Sequence, residues 1–446
     1  MPPAGWFPFW RASLRPVEML SALVRHVLKL RNRWPRLFWF IVSLGRRYLP
    51  RQLGVYPRPL AGELAAVAAV LKSSQWNMTY GRGLEHERLE SDFAEYVGVH
   101  HAVAVNTGGM ALQMSMRALG LGPGDEVVHQ VDTCSATAFA VMNAGCNPLF
   151  ADLSERTFML SPSHVQEVLG PNTKAIIATH MWGNPEDLDT ILGLKEEHGL
   201  VIIEDACLAL GAAYRGRRAG SLGDVGVFSF GCIKPIQAGE GGMIVTNDDA
   251  MARELRSMRH WGDRSIEFGT RDTIHLSWNG RMSEILAAVV REQLKGYPAH
   301  LRALRDAVRD FEAFLPTIDG LTPVHGAAST SADPSFAQVV LRLDEARFGC
   351  SKRHLMDELT RQGIRVWHAN FEPISSLTFF KQNTWRRWIT KGDLERLGSN
   401  YAGHCPVARS VYDSTGIGLG QSNFLSTGNL KHLKRQLASL ATRKPS

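Results

Sequence analysis

The strongest constraint on the fold is a regular alternation of short apolar runs and helical stretches from residue 102 onward. Seven apolar, partly β-branched runs predict strands at 102–105, 126–129, 148–151, 175–179, 201–203, 226–230 and 243–246. Helical stretches follow most of them, at 110–119, 135–144, 162–169, 185–198 and 250–259. This alternation predicts an α/β fold, in which helices cover both faces of a seven-stranded, mainly parallel sheet.

A long helix and a smaller mixed region follow this pattern. Ser283 is predicted to cap a helix that extends to about residue 315. The later elements are predicted as a strand at 337–343 and helices at 352–362 and 429–441. These elements indicate a smaller α+β domain. We therefore expect an N-terminal extension, a large domain and a small C-terminal domain, at residues 1–60, 61–295 and 296–446.

Charge is distributed unevenly along the 446 residues, although the net charge is +7. Residues 1–60 contain eleven basic residues and one acid, Glu18, whereas the remaining chain has a balance of −3. A nucleic-acid-binding domain would carry its basic residues on the folded body, so we expect no nucleic-acid partner. The six cysteines include no C-x-x-C pair, which favours reduced thiols in a cytoplasmic protein.

The extension at residues 1–60 leaves three interpretations open. A short amphipathic helix is predicted at 20–30, and an apolar run follows at 37–44. That run is far shorter than the ~20 residues that a membrane-spanning helix needs. The extension would pack on the body, or form an interfacial helix in peripheral contact with a membrane, or result in part from the choice of start site, since Met19 is an alternative.

Polar residues follow several predicted strands at the point where each strand ends. Asp205 closely follows the strand at 201–203, and Ser229 lies near the end of the strand at 226–230. Lys234 follows in the next loop, and Gly108 and Gly109 separate a strand from a helix. Because ligands of open α/β sheets bind outside the carboxyl ends of the strands, these residues are candidates for one site.

The same residue types match the needs of pyridoxal 5′-phosphate (PLP). A lysine amine forms a Schiff base with the cofactor aldehyde, and a carboxylate opposite the ring nitrogen keeps the ring an electron acceptor. A helix N-terminus and a serine hydroxyl bind phosphate. Taken singly, Asp205 is also explained as a strand-end or helix-capping acid, and Lys234 as a surface lysine. We interpret Glu204 as structural. The combination in this order is much more specific.

The sequence resembles the DegT-type family of PLP-dependent nucleotide-sugar aminotransferases, which has the aspartate-aminotransferase fold. The motifs that carry the resemblance lie at 106–112, 117–119, 122–127, 136–138, 144–145, 180–183, 204–206, 209–212, 220–224, 229–230, 234, 239–242, 279 and 281–282. The match covers about half of the chain. The C-terminal region matches more loosely, and residues 1–60 do not match.

The resemblance implies roles for the candidate residues. Lys234 would hold PLP and move a proton between substrate and cofactor, and Asp205 would pair with the ring nitrogen. Gly108, Gly109 and Ser229 would bind the phosphate. The family takes an amino group from glutamate or glutamine and passes it to a keto sugar or cyclitol, in secondary-metabolite or polysaccharide biosynthesis. No metal is expected.

Two further roles follow from the resemblance. Asn279 would reach the cofactor phosphate of a neighbouring protomer, which implies a homodimer. His180 follows a strand end at a position near the substrate in the family.

Three positions depart from the family pattern in residues that would cradle the cofactor. Cys134 replaces an aromatic residue that stacks on the ring, Leu208 replaces a glutamine near a cofactor oxygen, and Gly109 replaces a threonine. These departures indicate an unusual substrate, another PLP-dependent carbanion reaction such as elimination or dehydration, or weakened cofactor binding. The basic extension on a mildly acidic body leaves a further alternative, a degenerate member that acts as a scaffold.

Overall fold

The structure is a computed structural model that describes residues 61–77, 83–263, 272–273, 276–325, 332–403 and 405–442. The extension at residues 1–60, with its predicted helix at 20–30, lies outside the described residues. No helix in the described part of the chain is long and apolar enough to cross a membrane.

The centre of the structure is a seven-stranded sheet. Its strands are β1 (His101–Val105), β2 (Glu126–Gln130), β3 (Asn147–Ala151), β4 (Thr173–Thr179), β5 (Val201–Asp205), β8 (Val225–Ser229) and β9 (Gly242–Thr246). They lie in the order β1-β9-β8-β5-β4-β2-β3, and only β9 runs antiparallel to its neighbours. The predicted α/β class and the mainly parallel sheet are confirmed.

Helices cover both faces of this sheet, as expected for strands that are buried on both sides. The described helices before residue 260 are α1 (Ala61–Ser73), α2 (Leu84–Val97), α3 (Gly108–Ala118), α4 (Ser135–Asn143), α5 (Pro162–Val168), α6 (Leu188–His198) and α7 (Asp249–Met258). Helices α3, α4 and α7 pack through Ala111, Val141 and Leu255 on one face. Helices α5 and α6 pack on the other.

A 31-residue helix, α8 (Glu284–Phe314), connects the large sheet to the C-terminal region. The hydroxyl of Ser283 caps it as predicted, by accepting a hydrogen bond from the N–H of Leu286 at 3.2 Å. Up to Leu301, α8 supplies residues such as Tyr297 to a core of the large sheet, and from Leu304 onward it supplies Leu304, Val308 and Phe311 to another core. The predicted domain division at residue 295 falls inside this helix.

The second core supports a four-stranded antiparallel sheet in the order β10-β12-β14-β13. Its strands are β10 (Leu321–Pro323), β12 (Gln338–Leu343), β13 (Val366–His368) and β14 (Gly416–Gly420). Three very short strands, β6 (Ala213–Tyr214), β7 (Arg217–Arg218) and β11 (Ala332–Asp333), form a third sheet. Only the strand equivalent to β12 is predicted from the sequence, because the other C-terminal strands are short or glycine-rich.

The remaining helices are α9 (Glu345–Phe348), α10 (Lys352–Arg361), α11 (Thr378–Lys381), α12 (Leu394–Ala402), α13 (Pro406–Ser410) and α14 (Thr427–Ala441). Helices α10 and α14 cover the small sheet. The segment between them returns to the large sheet, where Phe380, Trp385 and Leu397 pack with Phe150 of β3. Residues that are distant in sequence therefore reach the carboxyl edge of the large sheet.

Candidate active site

Asp205 and Ser229 lie on the same face of the large sheet, at its carboxyl edge. Strands β5 and β8 are neighbours, and Asp205 pairs with Val227, so Ser229 lies two residues further along. Alternate strand residues share a face, and the two side chains are separated by about one strand spacing and two residues, or roughly 8 Å. Asp205 accepts hydrogen bonds from the N–H of Cys207 at 3.2 Å and from the hydroxyl of Thr137 at 3.5 Å.

Helix α3 points its N-terminus at Ser229. The Thr107 hydroxyl caps the helix by accepting the N–H of Met110 at 3.0 Å. The N–H groups of Gly108 and Gly109 lie in the first turn of the helix, where no carbonyl of the helix can accept them. They are therefore available to an anion. A Cβ on Gly108 would lie 2.8 Å from the Cβ of Ser229, so glycine is required there, whereas Gly109 has no neighbouring atom closer than 3.9 Å to such a Cβ.

Lys234 is half-buried in the loop after β8, where its N–H donates to the carbonyl of Gly231 at 3.1 Å. The pKa of the neighbouring Cys207 thiol responds to the charges around Lys234. Burial and the charge of Asp205 raise the pKa of Cys207 well above its usual value, while the positive charge of Lys234 acts in the opposite direction. One thiol is therefore within electrostatic reach of both predicted catalytic residues.

These residues fit PLP on observations of the structure. Glycine at position 108 lets the backbone at the N-terminus of α3 lie directly against Ser229, so backbone N–H groups and a hydroxyl adjoin one another, as phosphate binding requires. A carboxylate lies on the same face as that serine, and the charges of both Asp205 and Lys234 act on the Cys207 thiol. The assignment of Gly108, Gly109, Ser229, Asp205 and Lys234 to individual cofactor atoms stays a prediction.

Two residues that depart from the family pattern differ in their surroundings. Cys134 immediately precedes α4, and its side chain is exposed and caps no backbone N–H. Leu208 is half-buried and packs against the large-sheet core, and its carbonyl accepts the hydroxyl of Ser335 at 3.5 Å. Contact of either side chain with the cofactor stays a prediction.

Asn279 lies close to the segment that leads into α3 of its own chain. Its carbonyl accepts a hydrogen bond from the side-chain amide of Asn106 at 3.2 Å, and the N–H of Asn106 donates to Gly280 at 2.8 Å. The side chain of Asn279 is exposed. Its predicted reach into a neighbouring protomer stays a prediction.

His180 and Glu204 form a fully buried pair on the face opposite Asp205. His180 Nε2 lies 2.9 Å from Glu204 Oε2, and its Nδ1 accepts the N–H of Glu186 at 3.0 Å. Both ring nitrogens are thus paired within the chain, which argues against the predicted substrate contact of His180. Glu204 also accepts the N–H groups of Gly220, Leu222 and Gly223 at 2.6–2.8 Å, consistent with its predicted structural role.

The charge state of Glu204 follows from these partners. Burial alone raises the pKa of a carboxyl group, because the charged form loses its hydration. The hydrogen bond and charge of His180, together with the backbone N–H groups, outweigh burial and lower the pKa of Glu204 below its usual value. Glu204 therefore anchors the turn at residues 220–223 as a carboxylate.

A third acid, Asp132, was not predicted from the sequence. It is fully buried beyond the end of β2 and accepts hydrogen bonds from the amides of Gln130 at 3.0 Å and of Asn370. These two donors do not offset burial, which raises the pKa of Asp132 to about 7. Asn370 is 238 residues away in sequence, so no local pattern could reveal this pair.

Three hydrogen bonds hold the segment at residues 369–374 against the carboxyl edge. The Asn370 amide donates to Asp132, and the N–H of Ile374 donates to the carbonyl of Val131 at 2.7 Å. The indole N–H of Trp182 donates to the carbonyl of Ala369 at 2.6 Å. Trp182 has a left-handed backbone with φ of 54°. Between the anchors, Phe371 is 43% exposed beside the loop that leads to Cys134.

Sequence reasoning missed Thr107, Thr137 and Cys207 as neighbours of the site. A threonine before two glycines and a helix is an N-cap pattern that could have been used. Thr137 lies in the motif at 136–138, which marks the family but not the contact with Asp205, and Cys207 carries no signal. Among the described residues, no group of three or more His, Cys, Asp or Glu side chains could hold a metal ion.

The chain belongs to the DegT/DnrJ/EryC1/StrS aminotransferase family, whose sequence model matches residues 60–388. It is a PLP-dependent aminotransferase of the α/β architecture described above.

Two named relatives illustrate the similarity in sequence. The chain is 39% identical over 267 residues to a GDP-perosamine synthase of Caulobacter vibrioides, covering 59% of this chain and 70% of the relative. It is 30% identical over 382 residues to an L-glutamine:2-deoxy-scyllo-inosose aminotransferase of Streptoalloteichus tenebrarius, covering 83% of this chain and 90% of the relative.

A solved structure shows the same similarity in three dimensions. The crystal structure of S. venezuelae DesV in complex with a ketimine intermediate is 29% identical in sequence, with a TM-score of 0.74. The superposition covers 86% of this chain and 95% of DesV. The similarity therefore includes both the large sheet and most of the C-terminal region.

Proposed function

We propose that this aminotransferase moves an amino group from glutamate or glutamine to the carbonyl carbon of a keto sugar or keto cyclitol, in secondary-metabolite or polysaccharide biosynthesis. The donor becomes a 2-oxo acid and the acceptor carbonyl becomes an amine. The observation that carries the proposal is that Asp205, Ser229 and the N-terminus of α3 meet on one face of the carboxyl edge. The names of the two sequence relatives support the acceptor class.

When bound, PLP supplies an electron sink that stabilises negative charge on the substrate carbon. The N–H groups of Gly108 and Gly109 and the hydroxyl of Ser229 would bind its phosphate. Asp205 would hold the proton on the ring nitrogen, which keeps the ring electron-poor. Lys234 Nζ would anchor the cofactor between turnovers and, in each half-reaction, carry the proton between the substrate carbon and the cofactor carbon.

The test of this proposal is the absorbance spectrum of the purified full chain with PLP. Borohydride should fix the cofactor to Lys234, and glutamate or glutamine should convert the visible band to that of the aminated cofactor. Lys234→Ala should abolish both effects, whereas Lys174→Ala, which alters an exposed lysine of β4, should leave them unchanged. A Lys234→Ala protein with the wild-type rate of donor turnover would disprove the proposal.

Acceptors are then compared with the aminated cofactor already in place. Nucleotide-linked keto sugars and keto cyclitols should restore the visible band, and simple 2-oxo acids should do so only by reversal of the donor step. Turnover of a sugar without any amino donor would instead favour the elimination or dehydration alternative, which the replacements at Cys134 and Leu208 motivate. A chain that binds no PLP even in excess would favour the scaffold alternative.

We also propose that the active unit is a homodimer. Ile233, Trp261 and Leu276 are 66%, 53% and 88% exposed in the single chain. Ile233 precedes Lys234, Leu276 lies just before Asn279 in sequence, and Trp261 follows His260, which forms a β-bridge with Asn279. Exposed apolar side chains in such number beside a site are typical of an interface. Mass measurement in solution should give twice the chain mass.

Mixing two variants tests whether Asn279 acts across that interface. Lys234→Ala and Asn279→Ala should each reduce activity as homodimers. If Asn279 serves the partner's cofactor, a mixed dimer contains one site without either substitution, and activity should return to about a quarter of the wild-type value after random exchange. If Asn279 serves its own chain, mixing restores nothing.

For the extension at residues 1–60, we propose a peripheral membrane contact of a cytoplasmic enzyme. Its charge balance of +10 supports this proposal. The full chain should co-sediment with vesicles that contain anionic lipid, and salt should weaken the association because it screens exposed charge. Equal co-sedimentation of a chain that begins at residue 61 would disprove the contact.

A further inference from the structure

A buried histidine lies on the same face of the sheet as Asp205, two strands away. His129 is the fourth residue of β2 and is fully buried. It pairs with Ile177 of β4, and Ile177 pairs with Ile203 of β5. Because alternate residues of a strand share a face, His129 and Asp205 lie on the same face of the sheet, with the intervening strand β4 between them.

The hydrogen bonding of His129 fixes which ring nitrogen is free. Nδ1 donates to the carbonyl of Gln130 at 2.8 Å, so the neutral ring carries its proton there and presents a lone pair at Nε2. Nε2 has no hydrogen-bond partner in the described part of the chain. Burial lowers the pKa of His129 to about 4, while the charge of Asp205 acts in the opposite direction.

Thr179 supplies a second unpaired polar group on this face. It is the last residue of β4, it pairs directly with Asp205, and it is buried. Its hydroxyl Oγ1 has no hydrogen-bond partner among the described residues. Since buried polar groups are nearly always hydrogen-bonded, an unpaired acceptor and an unpaired hydroxyl beside one carboxylate call for a common partner.

One water molecule between these groups would accept a hydrogen bond from the Thr179 hydroxyl and donate one hydrogen to His129 Nε2 and the other to Asp205. Three hydrogen bonds to buried polar groups are typical of a buried structural water. The water would share the Asp205 carboxylate with the weak hydrogen bond from Thr137 at 3.5 Å.

We propose that His129 and Thr179 hold such a water, and that His129 is thereby a positioning residue for the aminotransferase reaction, a role that rests on the function proposed for Asp205. The bridged water keeps Asp205 charged and oriented towards the ring nitrogen of PLP. Other titratable groups near Asp205 are Cys207, whose thiol also hydrogen-bonds Asp205, Lys234, whose charge acts on that thiol, and Glu204 on the opposite face.

The first test is the pH at which the visible band of bound PLP changes, measured on the full chain loaded with cofactor. His129→Leu and Thr179→Val should each raise this midpoint by about one pH unit, because Asp205 loses a hydrogen bond that favours its charged form. They should also weaken PLP binding about tenfold, since one unit of pKa corresponds to a factor of ten. His129→Gln keeps an acceptor near the position of Nε2 and should restore most of both values.

A matched control separates this effect from packing. Phe150 contacts the edge of the His129 ring, with the ring centroids 5.3 Å apart, and Phe150→Leu alters the same core without removing a polar atom. It should lower the melting temperature and leave the pH midpoint unchanged. Equal shifts from His129→Leu, His129→Gln and Phe150→Leu would overturn the proposal.

A crystal structure of the wild-type chain provides a second, independent test. Electron density for one water should connect Nε2 of His129, Oγ1 of Thr179 and a carboxylate oxygen of Asp205. A dry space there would overturn the proposal, whether or not the chain is an active aminotransferase. If the density is present and Lys234→Ala leaves donor turnover intact, the function proposed for the site fails while the water site stands.

Discussion

The two acids at the end of β5 differ sharply in their surroundings, although they are adjacent in sequence. Glu204 projects to the face of β5 opposite Asp205, where three backbone N–H groups and His180 surround its carboxylate. Asp205 projects to the face of α3 and α4, where its contacts are one backbone N–H at 3.2 Å and one hydroxyl at 3.5 Å. The carboxylate of Glu204 therefore has all its hydrogen-bond acceptor positions filled, whereas that of Asp205 can still accept a hydrogen bond from a ligand.

This difference shows how a single strand end can serve structure and chemistry at once. A carboxylate whose lone pairs are all used within the chain stabilises the fold and has nothing left for a cofactor. A carboxylate with long, incomplete contacts is available to a charged partner. The comparison therefore predicts that substitutions at the two positions separate activity from stability.

The largest expected effect is on catalysis at Asp205. Asp205→Asn keeps the size of the side chain but removes the charge that would hold the ring proton, and we expect the rate of the donor half-reaction to fall about 10³-fold. Stopped-flow absorbance at saturating PLP measures this rate. A melting temperature close to that of the wild type would show that the loss is chemical, whereas a tenfold loss or less would contradict the assigned role.

The second effect is on stability at Glu204. Glu204→Ala leaves three buried N–H groups and His180 without their acceptor, and it should lower the free energy of unfolding by about 3 kcal/mol. Urea denaturation measures the change. If the folded variant loses activity as strongly as Asp205→Asn while keeping wild-type stability, the separation of the two acids fails.

The lowered pKa of Glu204 adds a pH dependence with a definite sign. Because the folded-state pKa lies below the usual value of 4.5, the charged group stabilises the fold above that pH, and this contribution is lost as the pH falls through the folded-state pKa. The stability advantage of the wild type over Glu204→Gln should therefore shrink as the pH is lowered below about 4.5. A constant difference in unfolding free energy would contradict this.

Asp132 should show a pH dependence of stability with the opposite sign to that of Glu204, because its folded-state pKa is raised. Its pKa is raised from 3.8 to about 7, so the folded state binds a proton that the unfolded state releases, and the wild-type fold loses stability as the pH rises between these values. Asp132→Asn lacks this penalty. Its unfolding free energy relative to wild type should rise by about 2 kcal/mol between pH 5 and 7.

The smallest expected effect is on PLP binding, at Cys134, where this chain departs from the family pattern. Cys134→Phe would place an aromatic ring where this chain has an exposed thiol, and stacking on the cofactor should strengthen PLP binding by about 1 kcal/mol, or roughly fivefold. Equilibrium dialysis measures the dissociation constant. Cys350→Phe, at a half-buried thiol of the small domain, should leave it unchanged.

Most of the large sheet could be predicted because its strands are buried on both faces and are continuous apolar runs, as at residues 201–203. Strand β14 could not, because three of the five residues in its sequence Gly-Ile-Gly-Leu-Gly are glycines, which are depleted in strands. Asp205 and Ser229 were predictable from their positions at strand ends. The Asp132–Asn370 contact was not, because its register depends on how residues 369–374 return to the edge.

The long helix α8 has a consequence for how this chain could be divided. The large-sheet core ends at Leu301 and the small-sheet core begins at Leu304, so less than one helical turn separates the last contact of one from the first contact of the other. A fragment cut at residue 295 would lose Tyr297, whose hydroxyl donates to Leu210 at 2.8 Å. Chimeras that exchange the small sheet between relatives should therefore be joined within the helix, between Leu301 and Leu304, where the fewest core contacts would be broken.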